Sequence, residues 1–383
     1  MTESTSTSCL TLIELLKKYN PDTFPVSNYN LDSLDEETQD ASLNEDNIIH
    51  NTLGEETLDT RTNIRNIIDC PISFNRKKSY FSCFLDGCRK AYYLCDMSTP
   101  SGAMIPIIAG QVSSAVLKRE RSTGKVSLHR YEKLGLLLLP VGGNALNTDD
   151  VNVIKKIIDT NFENDGITAK SITIRHPENP KNDALAHLNM EMQGLEIQFL
   201  ENLAISGEID QENMIIVDGA LQFQRIGKDQ QSNLRYAVGL SKHFNLHLRN
   251  VISKDREIGT LLINLKDVGD RTVGFRLRME NGAEYAFWYL RIRPREYLNF
   301  PFAGIVKLEK ILITDKEKED GLPTDMIDNI SRCILLERTV CPYGLDFRWA
   351  SHIYPIYLTE QIQKKKFTSD YVYRYLLRRK VNI

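Results

Sequence analysis

The sequence predicts an α/β protein, or failing that an α+β one. Two observations carry this. Short β-prone segments recur through the body of the chain, and helical patterns are interspersed among them rather than gathered at one end. The composition agrees, since 383 residues with 42% hydrophobic and 26% charged side chains suit a globular protein with a sizeable core.

Taken in order, residues 10–16 place Leu10, Ile13, Leu15 and Leu16 at the spacing of a short amphipathic helix. Residues 21–56 are rich in Asn, Asp, Ser, Glu and Thr, a composition too polar for a core and read as a loosely packed acidic segment. The ordered body is expected to start between residues 60 and 78, so residues 1–60 form an acidic arm and residues 61–383 the main domain. Strands are expected at 80–85, ending at Asp86-Gly87, then at 91–95 and 104–112 with a Thr-Pro-Ser-Gly turn before the last, and at 134–141. Residues 150–163 read as a helix. Residues 183–203 are the strongest helix, because Leu185, Leu188, Met192, Leu195, Phe199 and Leu203 share one face. Residues 214–217 are a short apolar strand of the kind buried in the middle of a sheet. Further strands are expected at 234–240, 260–265, 272–279, 285–292 and 304–312, and helices at 326–336 and 358–379.

Charge is unevenly spread. Residues 1–60 hold 13 acidic and 2 basic side chains, and the remainder holds 38 acidic and 46 basic. A mildly basic body is compatible with a polyanionic partner such as DNA. The seven cysteines include the nearby Cys83, Cys88 and Cys95, without a Cys-x-x-Cys pair or a histidine at zinc-finger spacing. Reduced thiols and a cytoplasmic location are expected. No apolar run approaches a membrane span, and no basic segment followed by an apolar one opens the chain. Zinc-peptidase, nucleophile-elbow, phosphate-loop and dinucleotide motifs are absent from the sequence.

Two segments share a design: FLDG, ending in Asp86-Gly87, and IVDG, ending in Asp218-Gly219. Each apolar strand delivers a carboxylate at its end. A single Asp-Gly is ordinarily the start of a turn. Two of them on neighbouring strands would make an oxygen-rich site for Mg²⁺ or Mn²⁺, suited to phosphodiester hydrolysis. A third carboxylate is expected from the helix over the sheet. Glu201 points away from the apolar stripe, while Glu196 and Glu191 border it, and Glu196 lies nearer its centre. Lys242, after the strand-like YAVGLS, is positioned to place an ammonium beside a scissile phosphate.

The order of FLDGCRK, a Glu-bearing helix, IIVDGALQF, AVGLSK, FWYLRI and YPIYL resembles the NurA nucleases over roughly residues 75–370. The resemblance implies a ribonuclease H-like mixed sheet flanked by helices, with C-terminal helices. It implies a manganese-dependent nuclease (Mn²⁺ or Mg²⁺) acting on DNA in double-strand-break end resection, as a homodimer docked on a hexameric HerA-like ATPase. It assigns Asp86, Asp218 and Glu196 (or Glu191) to the metal, Lys242 to the Gly-x-Ser-Lys segment, and Tyr354 to the C-terminal Tyr-Pro. One departure stands out. The family continues to Ala-His where this chain has Gln361-Ile362, and isoleucine ligates no metal. His352, two residues before Tyr354, is the candidate substitute, with Gln361 as a weaker oxygen donor. The departure keeps a second reading open, a catalytically silent relative that binds DNA or assembles on the ATPase. A third is an α/β protein of unrelated function. The helix at 10–16 has an apolar face to bury, against the ATPase, across a dimer or on its own body.

Overall fold

The structure, a computed structural model, describes residues 9–26, 48–52, 63–68, 79–141, 146–176, 179–223, 226–249, 251, 257–298, 300–339 and 347–383. Most of the acidic stretch at 21–56 lies outside the described residues.

The chain starts with strand β1 (Cys9–Thr11), helix α1 (Leu12–Tyr19) and strand β2 (Thr23–Pro25). Thr11 and Glu14 form a reciprocal capping box that starts α1. Leu12, Leu15 and Leu16 are fully buried among Tyr373, Leu377, Val381 and Ile154, each such leucine contributing roughly 1.5–3 kcal/mol. The apolar face of this helix is therefore covered by its own body, which is one of the three partners left open for it, and docking on the ATPase is the alternative set aside. Residues 9–25 are likewise stitched to the body, because β1 pairs with the C-terminal strand and β2 with a central one.

The strands that follow are β3 (Ile48–Thr52), β4 (Ile64–Asn66), β5 (Phe81–Ser98), β6 (Met104–Arg119), β7 (Val126–Val141), β8 (Ile167–Thr173), β9 (Met214–Asp218), β10 (Ala237–Ser241), β11 (Asp270–Thr272), β12 (Phe275–Arg278), β13 (Glu284–Arg291), β14 (Ile305–Leu312) and β15 (Lys380–Asn382). Helices α2 (Thr148–Asn161), α3 (Pro180–Ile205), α4 (Gly259–Leu262), α5 (Asp315–Asp320), α6 (Thr324–Glu337), α7 (Tyr354–Lys366) and α8 (Asp370–Arg374) complete the fold. Thirteen strands form one mixed sheet in the order β3-β12-β13-β14-β10-β9-β5-β6-β7-β8, with β2, β4 and β11 off that path. At its centre β5, β9 and β10 run parallel, while β5, β6 and β7 form an antiparallel meander. One face packs on α3, through Leu85, Val217 and Phe199 and through Leu136 and Leu188. The other packs on α6 and α7, through Phe84, Ile216, Ile330 and Ile356, and on α1, α2 and α8. Among the described residues no helix is long and apolar enough to cross a membrane.

Several expectations change. The strands expected at 80–85 and 91–95 are one, β5, running through Asp86-Gly87. Residues 260–265 form no strand. Their start is helical, held by backbone bonds from Ile258 and Gly259 to the carbonyls of Leu248 and Leu246, so tertiary context overrides the β-branched composition. The helix expected at 358–379 breaks at Phe367 into α7 and α8. β8 was not read from the sequence.

Candidate active site

Asp86 and Asp218 lie on neighbouring parallel strands. β5 and β9 pair through Leu85 and Val217, so the next rung sets the two aspartates abreast. Side chains alternate along a strand, and Asp86 and Asp218 share the parity of Phe84 and Ile216, whose side chains meet α6 and α7. The two Asp-Gly steps owe their glycines to different causes. Gly219 has φ +96°, a left-handed turn at the strand's end that a side chain would strain. Gly87 sits in continuous strand, and a Cβ there would stand 2.6 Å from Glu196 Oε1 and 2.8 Å from Met192 Cγ. It is glycine because α3 approaches closely.

Glu196 approaches Gly87 from the opposite face of the sheet, within range of the Asp218 charge. It is 5% exposed, as is Asp86. Burial, with the Asp218 charge, pushes the Glu196 carboxyl up to about 8. Burial and Asp218 also hold Asp86 well above the usual carboxylate range, against the pull of Lys242. Lys242 follows β10, which pairs with β9 on its other side. Its Nζ is 2.8 Å from Asp218 Oδ2. Burial works to lower its pKa, but Asp218 and Asp86 together outweigh that and raise it.

The surroundings fix this geometry. Gln363 of α7 donates from Nε2 to the Asp86 carbonyl (3.1 Å) and accepts from Ser113 Oγ (2.7 Å). Buried Glu309 of β14 accepts from Leu221 N (3.0 Å) and Gln222 Nε2 (2.7 Å), clamping the loop that leaves Gly219. Glu360 of α7 adds a fourth carboxylate, whose charge raises the pKa of both Asp86 and Lys242.

The other candidates lie elsewhere. Glu191 faces Lys170 (3.6 Å) and His187 (3.5 Å). Tyr354, half exposed at the start of α7, lines a cavity of about 240 Å³ with Phe81, Arg119, Arg121 and Glu337. His352 is buried at the α6–α7 junction, its ring against Tyr357 and its carbonyl accepting from Thr339 N. Ile362 packs in the apolar cluster beside α7. The structure thus sets Asp86, Asp218 and Lys242 on neighbouring strands with Glu196 in electrostatic range across the sheet, and it sets Tyr354 and His352 apart from them.

Asp86, Asp218 and Glu196 are hard oxygen donors with surplus negative charge, which suits Mg²⁺ or Mn²⁺ in chemistry. In position they fall short: among the described residues, no three His, Cys, Asp or Glu side chains are gathered closely enough to hold a metal ion. The nearest cation to Asp218 is the Lys242 ammonium.

The chain is similar in structure to the NurA nuclease from Sulfolobus solfataricus. The TM-score is 0.38 at 9% identity, over 77% of this chain and 86% of that one. So loose a likeness assigns neither a family nor an activity. No protein-family model matches the chain, and no curated protein sequence matches it.

Glu360 and Glu309 escaped the sequence reading. Glu360 carried one signal, its place beside Gln361 where a ligand had been sought. Glu309 lies between Lys307 and Lys310 in the strand expected at 304–312, and an acidic residue inside a buried strand needs partners.

Proposed function

We propose that this protein is a metal-dependent DNA nuclease of NurA type, with a ribonuclease H-like core. The observation that carries the reading is that Asp86 and Asp218 stand abreast on adjacent strands with Glu196 within range of the Asp218 charge, and that burial first, then the neighbouring charge, pushes the Asp86 and Glu196 carboxyls upward. Perturbed carboxylates of this kind mark functional sites. The mixed sheet with helices on both faces supports the fold reading. Asp86, Asp218 and Glu196 are the residues that would hold Mn²⁺ or Mg²⁺, once brought closer together than they stand here. A divalent cation bound there supplies a Lewis acid for water activation and leaving-group stabilisation. Lys242 offers its ammonium to the developing phosphate charge, while Gln363 holds the Asp86 backbone and Glu309 the loop after Gly219 in place. His352 is left out of this ligand set because it belongs to the α6–α7 junction. We further propose a homodimer in the cytoplasm working with a HerA-like hexameric ATPase, since processing long duplexes requires a motor and the sequence has no phosphate-cradling loop.

The test is cleavage of single- and double-stranded DNA with Mn²⁺, Mg²⁺ or EDTA, with and without the ATPase. Cation-dependent cleavage that vanishes in Asp218→Ala supports the reading. The Lys242–Asp218 ion pair favours one other reading, a silent DNA-binding or assembly subunit in which lysine takes the cation's place. DNA binding without cleavage under every cation condition would select it.

A further inference from the structure

α8 is anchored on one side and bare on the other. Asp370 Oδ1 accepts from Lys90 Nζ (2.6 Å) and Tyr92 Oη (2.8 Å) of β5. Just before it, Thr368 exchanges backbone bonds with the Gln111 amide (2.8 and 2.9 Å). Tyr373 is buried and stacks on Tyr92 with ring centroids 4.5 Å apart. Opposite these anchors stand Tyr371 and Tyr375, one helical turn apart, 67% and 41% exposed, with ring centroids 4.4 Å apart. Arg378 lies over the Tyr375 ring at 5.6 Å.

Scattered exposed aromatics need no explanation. This pair differs in having its two rings already in contact, tilted by 39°, on a helix pinned from below, within a strongly basic stretch. Residues 364–380 hold seven Lys and Arg side chains and one acid, Asp370, which is itself bound to Lys90. We propose that Tyr371 and Tyr375 form a base-stacking platform for single-stranded DNA, with Lys365, Lys366, Arg374 and Arg378 meeting its phosphates. Exposed aromatic rings and cations side by side are the two chemistries that single-strand recognition combines. A duplex keeps its base faces stacked away and offers the cations alone. An apolar protein surface would leave the cations unmatched, and an acidic one would leave the ring faces unused.

The placement suits the candidate site. Asp86, Lys90 and Tyr92 share one face of β5, so the α8 anchors lie roughly 13–20 Å along the strand from Asp86 at about 3.3 Å per residue. α7, whose Gln363 bonds the Asp86 carbonyl, is the helix that immediately precedes α8. The inference deepens the nuclease reading and rests on it for the choice of DNA.

The experiment is fluorescence anisotropy with full-length protein in EDTA, so that nothing is cleaved. The probes are a labelled single-stranded oligodeoxynucleotide, its duplex and the matching RNA. Y371A/Y375A is expected to bind the single strand on the order of tenfold more weakly and the duplex nearly unchanged. Y371F/Y375F keeps the ring faces and should bind like the wild type. Both tyrosines are exposed, so thermal melting of the variants should match the wild type. Undiminished single-strand binding by the alanine variant overturns the proposal. So does equal weakening on duplex, binding of RNA but not DNA, or a change of oligomeric state in Y371A/Y375A. If tyrosine-dependent binding stands while no cation supports cleavage, the nuclease reading fails alone. Cleavage with tyrosine-independent binding removes the platform alone.

Discussion

Replacing Glu196 by glutamine should make the protein more stable at alkaline pH. The carboxyl is 5% exposed and its pKa rises from the ordinary 4.5 to about 8, first by burial and then by Asp218. Between those values the folded chain holds a proton that the unfolded chain has released. Stability therefore falls as pH rises through that window, and the loss is complete above about pH 8. At about 1.36 kcal/mol per pKa unit, the full penalty has a ceiling of roughly 5 kcal/mol. Glutamine has the shape of the protonated acid and cannot ionise, so the variant escapes the penalty. Urea unfolding followed by far-UV circular dichroism, in EDTA, at a series of pH values would measure it. The wild type should weaken from mildly acidic to mildly alkaline pH, and Glu196→Gln should weaken by a few kcal/mol less. Asp86, raised in the same sense, should leave a residual slope in the variant. An unchanged slope in Glu196→Gln, or a variant less stable than the wild type at alkaline pH, would refute the burial of a protonated Glu196 beside Asp218.

Asp218→Ala should abolish cation-dependent cleavage yet keep the fold, since it frees Asp86 and Glu196 from repulsion while costing Lys242 its partner; activity and circular dichroism check the two halves. Gly87→Ala puts a methyl 2.6 Å from Glu196 Oε1, and should cost about 1–3 kcal/mol by denaturant unfolding while moving Glu196 away from the aspartates. Glu337→Ala strips the partner from buried Arg119, which it grips at 2.6 and 2.5 Å, and should cost about 3–5 kcal/mol in the same assay. DNA binding by the basic stretch at 364–380 should weaken by powers of ten between low and moderate salt if about six phosphates are engaged, and salt-insensitive binding would move the contact elsewhere.

Local pattern was enough to find α3 and β9, because apolar side chains repeating at 3.6 residues, or running unbroken through a short strand, report which faces will be covered. It also pointed to Asp86, Asp218 and Lys242, since an acid or lysine at the end of an apolar run must either reach solvent or find a partner, and to Glu196 or Glu191 on the borders of the helix stripe. Pattern went wrong where one residue type serves two purposes. Gly87 reads like Gly219 in the sequence, yet one makes room for a helix within a continuous strand and the other turns the chain. The Leu12–Leu16 stripe showed that a face would be buried, but its partners Ile154, Tyr373 and Leu377 lie more than 130 residues away. Only the tertiary structure put β9 between β5 and β10, and that adjacency decides the chemistry. Charges interact through space at a few ångströms, so the raised carboxyls and the Lys242 contact exist only once three strands and a helix have met. The same holds for Glu360 and Glu309, which α7 and β14 carry into place from the far end of the chain.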